Sequence, residues 1–125
     1  MHKIILIGLG SGVGGILRYG LSTWVYSIIG RQFPYGTLAV NSIGCLMMGF
    51  LFILLLERFD GLGEPMRELL LIGFLGGFTT FSSFSIETMN LLENGESLLA
   101  MSNIFFSVFL CLLLTWMGIL LGRAL

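Results

Sequence analysis

The chain has 125 residues, of which 56% are hydrophobic and only 10% are charged, and its formal net charge is −1. Because soluble domains carry about 25% charged residues, this composition, with a mean hydropathy of +0.99, predicts an integral membrane protein. The slightly negative net charge argues against nucleic acid as a partner. No water-exposed segment is long enough to form a second core, so we expect a single transmembrane domain over residues 1–125.

Hydrophobic segments long enough to cross a lipid bilayer predict an all-α membrane protein with four transmembrane helices per subunit. Their approximate bounds are residues 3–29, 36–56, 68–92 and 97–121. The charged segment from Glu57 to Arg67, which includes Asp60, contains two glycines and Pro65, so we predict a solvated loop there. An even number of spans puts both termini on one side, and the excess of basic residues there indicates the cytoplasm.

The first segment contains a stripe of small residues and one buried charge. Gly8, Gly12 and Gly15 follow one another at spacings of four and three, which predicts a face for close helix packing. Arg18 is the anomaly, because an arginine inside a membrane helix is energetically expensive. It either reaches the interface, pairs with an acid, or serves as a positive group at the base of an aqueous vestibule.

In the second segment, Thr37, Asn41, Gly44 and Met48 share a helix face. Asn41 is the polar outlier. Its amide carries two donor hydrogens, which suit an anion, whereas the simpler interpretation is a hydrogen bond between helices, worth about 1 kcal/mol.

The third segment has the wrong composition for an ordinary spanning helix. Two adjacent glycines precede two β-branched threonines, and five hydroxyls fall within seven residues: Thr79, Thr80, Ser82, Ser83 and Ser85. Since lipid offers these groups no hydrogen bonds, they must face protein, water or an ion. We therefore predict a helix that is broken near residues 76–80. Phe81 and Phe84 are three residues apart and share a face with neighbouring hydroxyls, which a packing interface alone does not explain.

The fourth segment carries a polar stripe in which each residue lies four after the last: Asn103, Ser107, Cys111 and Thr115. Helix packing is the simpler interpretation, and a ladder of hydrogen-bonding groups beside the phenylalanines is the functional one. Cys45 and Cys111 both lie inside hydrophobic segments. We interpret them as small buried side chains, and nothing in their spacing indicates a disulfide or a zinc site.

Three ordered motifs resemble the Fluc (CrcB) family of fluoride channels over essentially the whole chain. They are Gly14-Gly15-Ile16-Leu17-Arg18-Tyr19, then Gly36-Thr37-Leu38-Ala39-Val40-Asn41-Ser42-Ile43-Gly44, then Gly76-Gly77-Phe78-Thr79-Thr80-Phe81-Ser82-Ser83-Phe84-Ser85 followed by Glu87. The resemblance implies a passive, selective fluoride channel that exports fluoride across the bacterial cytoplasmic (inner) membrane. It also implies a dual-topology homodimer, in which two copies insert in opposite directions and pair antiparallel.

The resemblance also indicates which residues serve the ion. It implies a fluoride pathway along Asn41, Phe81, Phe84, Ser82, Ser83, Ser107, Thr115 and Arg18. It implies a structural sodium ion at the dimer centre, held by the backbone carbonyls of Gly76 and Thr79. Cys111 departs from the family, because a hydroxyl is more usual at that position of the polar track.

The rival functions are a proton-coupled antiporter of the small multidrug-resistance type and an assembly subunit that transports nothing. Such antiporters depend on a carboxylate deep in the first helix, where this chain has Arg18 instead. An assembly subunit accounts for the small-residue faces but leaves the pairing of Phe81 and Phe84 with hydroxyls unexplained.

Overall fold

The computed structural model describes residues 2–58, 61 and 63–125. It contains four helical spans that are long and apolar enough to cross a membrane, as the sequence predicts. The first span is α1 (His2–Ile29), a single unbroken helix. It ends where Gly30 takes a left-handed backbone conformation with φ of 103°, a region that glycine enters without steric cost.

The second span begins directly after Pro34, whose ring cannot continue a preceding helix. It consists of α2 (Tyr35–Ile53), which continues without interruption into a π-helical turn, Leu54–Arg58. Most of the predicted loop from Glu57 to Arg67 is therefore wrong, because Glu57, Arg58 and residues 63–67 are helical. Asp60, the central acid of that predicted loop, lies outside the described residues.

The third span is assembled from four pieces. A short α3 (Gly63–Met66) leads into a π-helical segment, Arg67–Leu75, and then into one turn, α4 (Gly76–Phe78). The chain leaves the helix at Thr79 and Thr80 and resumes as α5 (Phe81–Glu93). The fourth span is α6 (Ser97–Ala124), a continuous helix that is long and apolar enough to cross a membrane.

The first and third spans pack backbone against backbone. A Cβ added at Gly10 would lie against the Leu69 carbonyl oxygen, and one added at Gly14 would meet the Phe74 carbonyl oxygen. The predicted close face of Gly8, Gly12 and Gly15 is thus wrong for packing within the chain. A Cβ at Gly8 or Gly12 meets nothing within 4 Å. The glycines that contact the third span lie two residues later on α1, at Gly10 and Gly14.

The second and fourth spans pack just as closely. A Cβ at Gly49 would meet the Thr115 carbonyl oxygen, and one at Gly118 would lie 2.8 Å from the Phe50 nitrogen. Farther along, a Cβ at Gly122 would lie 2.8 Å from the Ile53 Cβ. The residue numbers rise together on both helices, so α2 and α6 run parallel.

The glycine contacts of α1 predict that Gly14→Ala destabilises the protein, whereas Gly12→Ala does not. The added methyl group at Gly14 collides with backbone that cannot move aside, and overpacking of this kind costs about 1–3 kcal/mol. Thermal unfolding of the purified variants in detergent measures the difference, with Gly12→Ala as the matched control. Equal melting temperatures for the two variants would contradict the close approach of α1 to the third span.

Candidate functional site

The break in the third span is formed by two extended residues. Thr79 has ψ of 157°, and Thr80 has φ of −150° and ψ of 113°. The preceding helix closes with the Thr79 amide and hydroxyl both donating to the Leu75 carbonyl, at 3.0 and 2.9 Å. The next helix begins with the Thr80 hydroxyl accepting from the Ser83 amide at 3.1 Å, the usual role of a threonine at an N-cap.

Asn41 bridges the break from the second span. The Thr80 amide donates to Asn41 Oδ1 at 2.7 Å, and Asn41 Nδ2 donates to the Thr80 carbonyl at 2.9 Å. Both polar groups of the extended residue are thereby satisfied inside the membrane, where an unpaired group costs several kcal/mol. Nδ2 carries two hydrogens, so one N–H remains for the cavity that Asn41 also lines.

These hydrogen bonds leave two backbone carbonyls, those of Gly76 and Thr79, without their usual helical donors. In a continuous helix the Thr80 amide would donate to the Gly76 carbonyl, and the Ser83 amide to the Thr79 carbonyl. Here those two amides donate to the side chains of Asn41 and Thr80 instead. The carbonyls of Gly76 and Thr79 therefore lose their helical donors. Gly76 is exposed and Thr79 is half-buried.

A small cavity of about 160 Å³ lies on one side of the break, and we call it the arginine cavity. Its lining consists of Arg18, Tyr19, Ser22, Thr37, Val40, Thr80 and Ser83. Among the described residues the one ion pair joins Arg123 to Glu57 at 3.5 Å, so no described carboxylate neutralises Arg18. The arginine is half-buried and shares this cavity lining with hydroxyl-bearing residues.

A larger cavity of about 410 Å³ lies on the other side of the break, and we call it the phenylalanine cavity. It brings together four predicted pathway residues: Asn41, Phe81, Phe84 and Ser107. The rings of Phe81 and Phe84 are tilted by 43° with their centroids 5.4 Å apart. No carboxylate of the described chain lines either cavity. Thr80 contributes to the lining of both cavities.

Two predicted pathway residues lie outside both cavities. The Thr115 hydroxyl donates to the Cys111 carbonyl of its own helix at 2.8 Å. Ser82 is exposed, and its hydroxyl is 3.3 Å from that of Thr80. Ser83 lines the arginine cavity and not the phenylalanine cavity, so the predicted pathway is divided between the two sides of the break.

A chain of hydrogen bonds joins α5 to α6 beside the phenylalanine cavity. The Ser107 hydroxyl donates to Asn103 Oδ1 at 3.3 Å, and Asn103 Nδ2 donates to the Thr88 hydroxyl at 2.9 Å. The Thr88 hydroxyl donates in turn to the Phe84 carbonyl at 2.7 Å. Asn103 is only 1% exposed, which agrees with its interpretation as a packing residue. Its amide fixes Ser107, which lines the cavity, to the backbone of Phe84.

A pairing that the sequence did not reveal joins Tyr26 to Glu87. The Tyr26 hydroxyl donates to Glu87 Oε2 at 3.1 Å and accepts from the Thr37 amide at 3.4 Å. The Arg31 guanidinium lies over the Tyr26 ring, 4.5 Å from the ring centroid. No pattern in the sequence connects residues that are 61 positions apart.

Comparison of the amino-acid sequence with those of known proteins identifies the family of this chain. The family model described as CrcB-like protein, Camphor Resistance (CrcB), matches residues 5–119. The chain is 56% identical over 123 residues to a protein of Coxiella burnetii (strain CbuK_Q154) named "Fluoride-specific ion channel FluC", covering 98% of this chain and 99% of that protein. It is 50% identical to a protein of the same name from Geotalea daltonii, covering 98% of each chain, and 46% identical to one from Magnetococcus marinus, covering 97% of this chain and 98% of that protein. The protein therefore belongs to the CrcB family.

Proposed function

We propose that this protein is a passive fluoride channel that releases fluoride across the bacterial cytoplasmic membrane, and that it is not an enzyme. The observation that carries the proposal is the phenylalanine cavity, whose lining combines two phenylalanine rings, an amide and a hydroxyl and includes no carboxylate. Relatives that are 46–56% identical over nearly the whole chain are named fluoride-specific ion channels. The rival antiporter needs a carboxylate in the first span, and α1 contains none.

The electrostatics of the two cavities suit a small anion. Moving a bare ion into a low-dielectric core costs on the order of 20 kcal/mol before compensation, so donors must replace the lost water. Arg18 supplies a positive charge in the arginine cavity, where it attracts the anion. Past Thr80, the amide of Asn41 and the hydroxyl of Ser107 can donate, and the N-terminus of α5 contributes the positive end of its helix dipole.

Phenylalanine adds a contact that carries no formal charge. The quadrupole of an aromatic ring puts positive potential at its edge, and Phe81 and Phe84 both line the phenylalanine cavity. An anion held at the edges of these rings is bound weakly by several groups. Conduction requires this kind of binding, which is favourable enough for entry and weak enough for release.

The exposure of Phe81 supports a dimer. Its side chain is 77% exposed in the single chain, and a ring facing lipid cannot hold an anion. A second copy of the chain would enclose both Phe81 and the open side of the phenylalanine cavity. We propose the antiparallel homodimer of the family, with two dual-topology copies and their breaks facing each other at the symmetry axis.

A structural sodium ion fits at the centre of that dimer. Hard cations bind oxygen ligands, and the carbonyls of Gly76 and Thr79 have lost their helical donors. Each chain would supply two carbonyl oxygens, so two antiparallel copies would supply four. The sodium ion would add positive charge near the anion route without occupying it, since Gly76 does not line the phenylalanine cavity.

The proposed function is tested by measuring fluoride release from liposomes that contain the purified protein. We expect rapid, passive loss of fluoride, followed with a fluoride electrode, and little loss of chloride from matched chloride-loaded liposomes. No fluoride loss from well-folded protein would contradict the proposal. Equal loss of both anions would contradict the selectivity.

Replacement of the two rings tests the edge contacts. We expect Phe81→Ile and Phe84→Ile each to lower the fluoride flux by up to about tenfold. This takes the contact of an anion with a ring edge to be worth as much as an aromatic pair, about 0.5–1.5 kcal/mol, and about 1.4 kcal/mol corresponds to a factor of ten in rate. Phe52→Ile is the matched control, since Phe52 is exposed on α2 and lines neither cavity. Unchanged flux in all three variants would exclude coordination by the rings.

Asn41→Asp tests the bridge at the break. The substitution replaces the Nδ2 donor by a carboxylate oxygen, which repels the carbonyl oxygen of Thr80. It also adds negative charge to the anion route. We expect the fluoride flux to fall by more than about tenfold, since losing a buried partner costs about 1–3 kcal/mol. Asn90→Asp is the control, because it adds the same charge at an exposed position. Undiminished flux in Asn41→Asp would place Asn41 outside the pathway.

A further inference from the structure

Two thiols face each other across the contact between α2 and α6. Cys45 lies one turn before Gly49, and Cys111 lies one turn before Thr115. Because α2 and α6 are parallel and touch at Gly49 and Thr115, residues one turn earlier on each helix are also opposite each other. Both cysteines line the phenylalanine cavity, and both are free and half-buried.

Other soft or unpartnered groups lie beside these thiols. Met48, three residues after Cys45 on the same face of α2, lines the phenylalanine cavity together with both cysteines. Ser42 is 9% exposed, and its hydroxyl has no hydrogen-bond partner in the part of the chain that the structure describes. That hydroxyl lies next to the Cys111 thiol. Both thiols therefore line the phenylalanine cavity, with Met48 beside them in the same lining.

We propose that Cys45 and Cys111 form a two-coordinate binding site for a soft, thiophilic cation of the Cu⁺, Ag⁺ or Hg²⁺ class. Thiolate and thioether ligands select such ions, and Met48 provides a weaker third contact. Binding replaces two S–H bonds by two metal–sulfur bonds and releases two protons to solvent. No electrons are transferred, so the site needs no oxidant.

The same geometry excludes zinc. Zinc in proteins takes four nitrogen, sulfur or oxygen ligands in a tetrahedron. The described residues contain no group of three or more histidine, cysteine or acidic side chains that could hold a metal. A pair of thiols facing each other fits a linear ion, and it leaves a tetrahedral ion short of ligands.

Such an ion would lie in the proposed anion route, and this consequence rests on the proposed function. Cys45 and Cys111 line the phenylalanine cavity together with Phe84 and Ser107. A bound cation would narrow that cavity and would tie α2 to α6. We therefore expect it to inhibit fluoride flux.

Binding is tested with mercuric nitrate on the purified full-length protein, in detergent and chloride-free buffer. We compare the wild type with Cys45→Ser, Cys111→Ser and the double variant, using the charge-transfer absorbance of mercury thiolate and a count of free thiols. Since linked ligands bind more tightly by on the order of 100-fold or more, the wild type should retain one Hg²⁺ per chain against about 100-fold more 2-mercaptoethanol than either single variant. Zn²⁺ should not protect the thiols.

Retention by the wild type that is no better than that of the single variants would overturn the site. Melting temperatures verify that the serine variants are folded, and Cys45→Ala with Cys111→Ala repeats the comparison without a hydroxyl. These readouts do not depend on ion flux, so the site and the proposed function fail separately.

Flux is then measured in liposomes with and without mercuric nitrate. We expect mercury to inhibit the wild type at least tenfold and to leave the double serine variant unaffected. Bound mercury that leaves wild-type flux unchanged would overturn the placement of the site in the anion route. An absence of flux from folded wild type before mercury is added would instead contradict the proposed function.

Discussion

The pair of hydrogen bonds between Asn41 and Thr80 is the constraint on which the rest of the site depends. An extended residue in the middle of a membrane span exposes one amide and one carbonyl that lipid cannot satisfy. Asn41 satisfies both, at 2.7 and 2.9 Å, because a side-chain amide presents a donor and an acceptor side by side. The third span can therefore be interrupted at this depth without leaving its backbone unpaired.

The interruption redistributes hydrogen bonds in a way that a continuous helix cannot. Amides that would point back along the helix donate to side chains, so the carbonyls of Gly76 and Thr79 lose their helical donors. Just after the break, α5 begins with its positive dipole end and with Phe81 in its first turn. Carbonyl acceptors and the positive end of a helix thus lie within a few residues of each other along the third span.

Two tight helix pairs hold these groups in place. The first span meets the third through Gly10 and Gly14, and the second meets the fourth through Gly49 and Gly118. Between α5 and α6 the contact is polar, through the buried Asn103. The absence of side chains at the glycines brings α2 and α6 close enough for Cys45 and Cys111 to face each other, which makes the thiol pair a consequence of the same packing.

The sequence alone was sufficient for the number of spans, since long apolar segments and a low charge content suit only a membrane-spanning chain. It also located the break, because adjacent glycines, β-branched threonines and clustered hydroxyls are all unfavourable in a helix that faces lipid. Several candidate residues were recognisable in the sequence as polar or aromatic exceptions within apolar segments: Asn41, Phe81, Phe84 and Ser107. The family resemblance assigned all four to the fluoride pathway.

Only the tertiary structure decided which of these residues contact one another across different spans. Helix periodicity assigns residues to a face, but it does not say which neighbour that face contacts, so the close approach was predicted at Gly8, Gly12 and Gly15 and occurs at Gly10 and Gly14. Pairings between distant spans, such as Tyr26 with Glu87, Asn103 with Thr88 and Cys45 with Cys111, depend on how the helices are rotated and aligned. Those quantities are set by the packing of all four spans together, and no local pattern of residues encodes them.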